Sequence, residues 1–285
     1  IIPIANNESF FDMPWHDCLM PITDDYLAIE KAVFDCALAG CDTIWIVGHM
    51  NTQPLIRKRL GEMTIDPLTV YSNKELKFKR HDTDETKKEI QIYYIPIHPK
   101  DRDRRDSIAY SVLYGADIAY KTCLNISKWA TPDMFFCSFP YGIVAEEDIY
   151  EMRKFSNMKR NILMVNKGKT VKDGLMLPFT FLVNDFKRCK NHLNDYAVSV
   201  WENADNQSAE LPTMHYSIKD VFNSLDSSKA QLIESTFYHE ITSWDKYKQF
   251  LRSQDSDTIH MRGDLRSPEK RTALNFEGKK EEEND

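Results

Sequence analysis

The order of apolar and polar blocks over the first fifty residues predicts a βαβ unit. IIPIA at 1–5 reads as a short strand. Between 24 and 39, Tyr26, Ile29, Ala32, Val33, Cys36 and Ala37 recur at the spacing of one helical face, with Thr23 or Asp24 set to cap the start and Gly40 to end it. TIWIVG at 43–48 is apolar without a break, as a strand covered by helices on both sides must be. A short helix follows over Gln53–Leu60 and closes on Gly61.

The alternation continues along the chain. Strands are predicted at 68–80 and 91–97, separated by KRHDTDETKKE, a charged stretch with too little apolar content to pack. A helix from Asp106 to Leu124 carries Ile108, Val112, Leu113, Ala116 and Ala119 on one face, and MFFCSF at 134–139 is a buried strand. Next come a helix at 146–158, a strand at 161–166, the apolar run 174–183 and a helix through FKRCKNHLNDY. A polar insertion at 202–210, a helix at 217–226, the run QLIESTFYHEI at 231–241 and SWDKYKQFLRS at 243–253 complete the body. Repeated βα alternation predicts a three-layer α/β domain around a mostly parallel or mixed sheet, spanning 1–253. The segment 254–285 is a charged tail with little apolar periodicity, expected to be held by a protein partner or a second copy of the chain.

Composition narrows the function classes. The chain has 285 residues, of which 42% are hydrophobic and 28% charged, enough for a substantial core. A net charge of -7 argues against a broad nucleic-acid surface, which needs clustered Lys and Arg. Cys18, Cys36, Cys41, Cys123, Cys137 and Cys189 are scattered, which reads as core thiols of a reducing compartment. No apolar run approaches the roughly 20 residues of a membrane span, so the expected setting is cytoplasmic or an intracellular assembly.

Candidate chemistry gathers near the first strand. Asp12, Asp17, Asp24 and Asp25 flank the first βα connection, where open sheets bind ligands, and one or two of them could hold Mg²⁺ beside a phosphate. Solvated loop and helix-cap acids are the commoner role for such residues. DRDRR at 101–105 offers arginines for phosphate pairing, or a polar lead into a helix. His16 and His49 lie on the flanks of the unit but lack the companion spacing of a zinc site, and no GxSxG elbow is present. The loop ANNESFF contains no glycine, although Asn6 and Asn7 enter left-handed backbone more readily than most residues.

In this order the segments resemble the sugar-phosphate nucleotidyltransferase family of the GT-A-like nucleotide-diphospho-sugar transferase fold. IPIANN stands where that family has its strand and LAAGxGTR loop, CLMPI (18–22) resembles its PKxLxPI segment, and 28–49 resembles the following helix and strand. RRDSIAYSVLYGAD (104–117) resembles the GTAxAL helix, and MFFCSFPYGIV (134–144) the strand ending in a metal-binding GD. FYHEITSWDKYKQFL (237–251) resembles the WxDxGTPxxYxxA segment, with Glu240 at its second metal-binding aspartate.

The residues and the resemblance together point to nucleotide contacts at Asn6, Asn7, His49, Arg104, Arg105 and Ser107, and to metal contacts at Glu240, by the resemblance, and at Asp17, from the acids beside the first strand. Several positions depart from the pattern. The glycines fall in Asn6 to Ser9, the PK lysine falls near Asp17, and the GD aspartate falls at Phe139 or Pro140. Transfer of a nucleotidyl group needs cations and donors around the phosphate, and losing one such donor costs roughly 3–4 kcal/mol in the barrier. The expectation is therefore a degenerate member serving as a noncatalytic binding or structural subunit, with no cofactor. The alternatives are an active enzyme using Mg²⁺ and an NTP to make an NDP-sugar, and a glycosyltransferase with DRD at 101–103 as its metal motif.

Overall fold

The computed structural model describes residues 1–6, 9–24, 26–70, 89–98, 107–203 and 216–259. In chain order its first elements are β1 (Ile2–Pro3), β2 (Pro21–Thr23), β3 (Tyr26–Leu27), α1 (Ala28–Leu38), β4 (Thr43–Gly48), α2 (Gln53–Leu60), β5 (Met63–Ile65), α3 (Pro67–Val70) and β6 (Glu89–Pro96). Then follow α4 (Ile108–Ile126), β7 (Met134–Cys137), β8 (Gly142–Val144), α5 (Glu146–Lys154), β9 (Ile162–Val165) and β10 (Phe179–Leu182). The last are α6 (Val183–Asn203), α7 (Ile218–Phe222), β11 (Gln231–Glu234), β12 (Tyr238–Glu240) and α8 (Trp244–Leu251). Asn7, Asp25, most of the predicted strand 68–80, the 101–105 motif, most of the polar insertion and the tail from 260 lie outside the described residues.

Two four-stranded groups, β1-β4-β6-β5 and β11-β9-β10-β7, meet at residue 1. The amino group of Ile1 donates to Phe136 O (2.6 Å), and Ser138 N–H donates back to Ile1 O (3.1 Å), the bonding pattern of a parallel pair. The order across the molecule is thus β5-β6-β4-β1-β7-β10-β9-β11. Only β5 and β10 run against the rest, which makes the mostly parallel, mixed sheet that the alternation predicts.

Helices cover both faces. On one, α1 packs with α3 and α5; on the other, α4 packs with α6 and α7. Gly115 lets α4 approach the sheet, since a Cβ there would stand 2.6 Å from Val47 Cγ2. Every residue of α1 is buried, including Lys31 and Asp35, whose Nζ and carboxylate pair at 2.5 Å. Burial pushes the Asp35 carboxyl up, against the downward pull of Lys31 and Ser138.

Three details differ from the sequence pattern. The helix predicted from 24 begins at Ala28, because β2 and β3 pair as a small antiparallel hairpin that takes in Tyr26. Its first turn is closed by Glu30, whose carboxylate accepts from Leu27 N–H (2.9 Å), and not by Thr23 or Asp24. Residues 68–70 are helical, since Pro67 suits a helix start and Asp66 accepts from Leu68 N–H (3.1 Å). Among the described residues, no helix is long and apolar enough to cross a membrane.

Candidate functional site

Because β1, β4, β6 and β7 are parallel, the segments that follow them lie along one edge of the sheet, the edge where open α/β sheets bind ligands. Asn6 follows β1 and His49 follows β4, both half-buried. The His49 carbonyl accepts from Thr52 N–H (3.1 Å) and Gln53 N–H (3.2 Å), so its backbone starts α2. Ser107 caps α4, its Oγ accepting from Tyr110 N–H (3.1 Å). Asn7, Arg104 and Arg105 lie outside the described residues.

Asp17 is buried beneath the loop after β1. Its Oδ1 accepts from Ser9 Oγ–H (2.9 Å) and its Oδ2 from Phe10 N–H (2.6 Å). The acid that stands where the family pattern has a lysine thus ties down its own loop. Ser9 Oγ also accepts from Asp12 N–H (3.0 Å), where Asp12 takes a positive φ of 51°.

The loop so held delivers two aromatic rings. Phe10 meets Tyr141 edge to face, with ring centroids 5.0 Å apart. Phe11 is buried against Trp244 (5.3 Å) and Tyr247 (5.8 Å) of α8, and its carbonyl accepts from Trp244 Nε1–H (3.2 Å). Phe139 and Tyr141, on the turn after β7, are both fully enclosed, and Phe139 continues into the core through Phe179. Burial drives the Tyr141 phenol well above its usual range, reinforced by Cys18 and Asp17 close by. The Tyr141 hydroxyl finds no hydrogen-bond partner among the described residues.

Glu240 reaches the same place from the far end of the chain. β12 pairs antiparallel with β8, setting Glu240 opposite Gly142, and Ile241 N–H donates to Tyr141 O (2.8 Å). Glu240 Oε1 accepts from Thr242 Oγ1–H (2.5 Å) and from Lys246 Nζ (2.7 Å), which offsets its charge. Among the described residues no group of three His, Cys, Asp or Glu side chains is arranged to hold a metal ion. Asp17 and Glu240 are therefore brought to one turn, residues 139–142, but each spends its described contacts on protein donors.

Trp244 and Tyr247 were not among the sequence-derived site residues. The aromatic spacing of WDKYKQF was the available signal. Only the long-range pairing of β12 with β8 shows what those rings meet.

No protein-family model and no curated protein sequence matches the chain. Solved structures do. A Bacillus anthracis protein described as a glucose-1-phosphate thymidylyltransferase, in complex with a sucrose, superposes with a TM-score of 0.53 at 12% identity, covering 88% of this chain and 90% of that one. An apo-UDP-glucose pyrophosphorylase gives 0.53 at 12% identity, over 90% and 98% of the two chains. A UTP-bound UGPase from Acinetobacter baumannii gives 0.51 at 11% identity, over 88% and 90%. At such identity the likeness establishes a fold. The chain has the GT-A-like nucleotidyltransferase fold in a divergent form.

Proposed function

We propose that this protein is a noncatalytic member of its fold, a binding or structural subunit whose inherited nucleotide site is filled by its own side chains. The observation that carries this reading is the enclosure of Phe139 and Tyr141 at the end of β7, with Phe10 packed on Tyr141 from the loop after β1. By the resemblance, a metal-binding aspartate would stand at Phe139 or Pro140, and neither of these side chains can ligate a metal. A transferring phosphate needs uncommitted charge, whereas Asp17 is bonded to Ser9 and Phe10, and Glu240 to Lys246.

Mg²⁺ and an NTP belong to the rival reading, an active sugar-phosphate nucleotidyltransferase, to which the UTP-bound structural neighbour lends its chemistry. The proposed partner is instead a protein, either another chain or a second copy of this one, with the charged segment beyond Ile259 as contact, since Ile259 itself is buried in the body and Asp255 pairs with His239 (2.7 Å). A pyrophosphate-exchange assay separates the two readings. With a panel of NTPs, sugar 1-phosphates and Mg²⁺, the subunit reading expects no label transfer above a protein-free control. Saturable, Mg²⁺-dependent exchange would establish the enzyme.

A further inference from the structure

Helix α1 ends in a turn whose geometry sets two cysteines side by side. The chain leaves the helix through Gly40, which takes the left-handed conformation at a φ of +85°. Gly40 N–H donates to Ala37 O (3.0 Å) and Cys41 N–H donates to Cys36 O (3.2 Å). These are the nested five-to-two and six-to-one bonds of a Schellman cap, which brings the residue after the glycine against the one five before it. That contact is ordinarily made by two apolar side chains. Here those two positions are Cys36 and Cys41, whose backbones the Cys41 N–H to Cys36 O bond (3.2 Å) holds together.

The two sulfurs differ in access. Cys36 is fully buried, whereas Cys41 is half-buried and lines a cavity of about 570 Å³ at the amino-terminal ends of the strands. Trp45 and Met134 also line it, and Cys123 stands on its wall from α4. We propose that Cys36 and Cys41 form a reversible dithiol–disulfide pair, oxidised by a small-molecule disulfide that reaches Cys41 through this cavity.

The exchange balances in two steps. Cys41 releases its proton to solvent and its sulfur attacks the small disulfide, whose S–S bond breaks; one thiolate leaves and takes up a proton. Cys36 then gives its proton to solvent and attacks the Cys41 sulfur, expelling the second small thiol. Two protein thiols are oxidised and one small disulfide is reduced to two thiols. Burial holds the Cys36 thiol well above its ordinary range, so Cys36 acts second. Closing the bridge, at the roughly 2 Å of an S–S bond, links two positions that the cap already holds together.

The test uses the full chain incubated with oxidised glutathione at mildly alkaline pH, then alkylated in denaturant and cut with trypsin. Lys31 and Arg57 bound one tryptic peptide, 32–57, that contains both cysteines. The expected result is a peptide two hydrogens lighter than its reduced form, unalkylated, and a fall from six alkylatable thiols to four, reversed by dithiothreitol. Cys123→Ser should leave the 32–57 result unchanged, with the thiol count falling from five to three, and Cys36→Ser should trap a glutathione adduct on Cys41. Hydrogen exchange at the Gly40 and Cys41 amides should slow several-fold in the oxidised protein. A doubly alkylated 32–57 peptide, a lasting glutathione adduct on wild-type Cys41, or a Cys41–Cys123 link would overturn the proposal.

Discussion

Phe10 and Tyr141 meet edge to face, centroids 5.0 Å apart and planes at 80°, and the backbone N–H of the same Phe10 donates to Asp17. One residue thereby joins the loop after β1 to the turn after β7. Edge-to-face pairs contribute about 0.5–1.5 kcal/mol beyond their buried area. Phe10→Ala should accordingly lower stability by more than that, measured by urea denaturation.

Tyr141→Phe should behave in the opposite way. The phenol is fully enclosed and its hydroxyl has no partner among the described residues, so removing the oxygen relieves a desolvated donor. The expected change in unfolding free energy runs from neutral to a gain of about 1–2 kcal/mol. A loss above about 1 kcal/mol would show that the hydroxyl is bonded and that the packing described here is incomplete.

Asp17→Asn replaces an acceptor-only side chain with one that turns an NH₂ toward either Ser9 Oγ or Phe10 N–H. Hydrogen bonds to a charged group are worth about 1.5–3 kcal/mol, and a destabilisation of that size is expected in chemical denaturation. If Asp17 were reserved for a metal ion, its removal would leave the stability of the metal-free protein almost unchanged.

Gly142→Ala should be among the most damaging single substitutions. A Cβ at this position would stand 1.8 Å from the carbonyl oxygen of Met176, a backbone atom that cannot rotate away. A loss of about 4 kcal/mol or more, or failure to accumulate folded protein, is expected from circular dichroism and thermal unfolding. The glycine lies in β8 opposite Glu240, so the damage would fall on the pairing that carries β12 to the site.

Asp148 gives a pH signature. Burial raises its carboxyl above the usual range, while Thr236 N–H and Oγ1–H, each donating at 2.8 Å, pull it back, and Glu147 raises it. A raised folded-state pKa means that the folded protein holds this proton more tightly than the unfolded chain. The stability contributed by protonated Asp148 is full below the unfolded value near 3.8 and is lost as pH rises through the folded value. Asp148→Asn keeps one acceptor and does not titrate. Its stability relative to the natural protein should start lower at pH 4 and improve toward pH 7, read from urea midpoints across that range.

The sequence pattern was informative wherever an element was long and buried in a regular way. TIWIVG is β4 from Thr43 to Gly48, and the helix over Gln53–Leu60 is α2 within the same bounds. The pattern failed where the deciding partner is distant. β1 is two residues long, and nothing local shows that Ile1 bridges β4 and β7 through Phe136 and Ser138. Tyr26 carries helical spacing yet pairs in a hairpin, because Pro21–Thr23 supplies an antiparallel neighbour. α1 is enclosed all round, so a one-sided apolar face could not describe it, and the buried Lys31–Asp35 pair reads in sequence as a solvated one. At the site, the positions of Asp17 and Glu240 near one turn were legible from the resemblance. Their engagement by Ser9, Phe10 and Lys246 was not, since hydrogen bonds between loops leave no periodic trace.

The most direct test of an occluded nucleotide site is calorimetric titration of the full chain with NTPs and NDP-sugars, with and without Mg²⁺. If Phe10, Phe139 and Tyr141 fill the site as proposed, no saturable heat is expected up to millimolar ligand. Saturable, Mg²⁺-dependent binding at one site per chain, lost in Glu240→Ala, would contradict it.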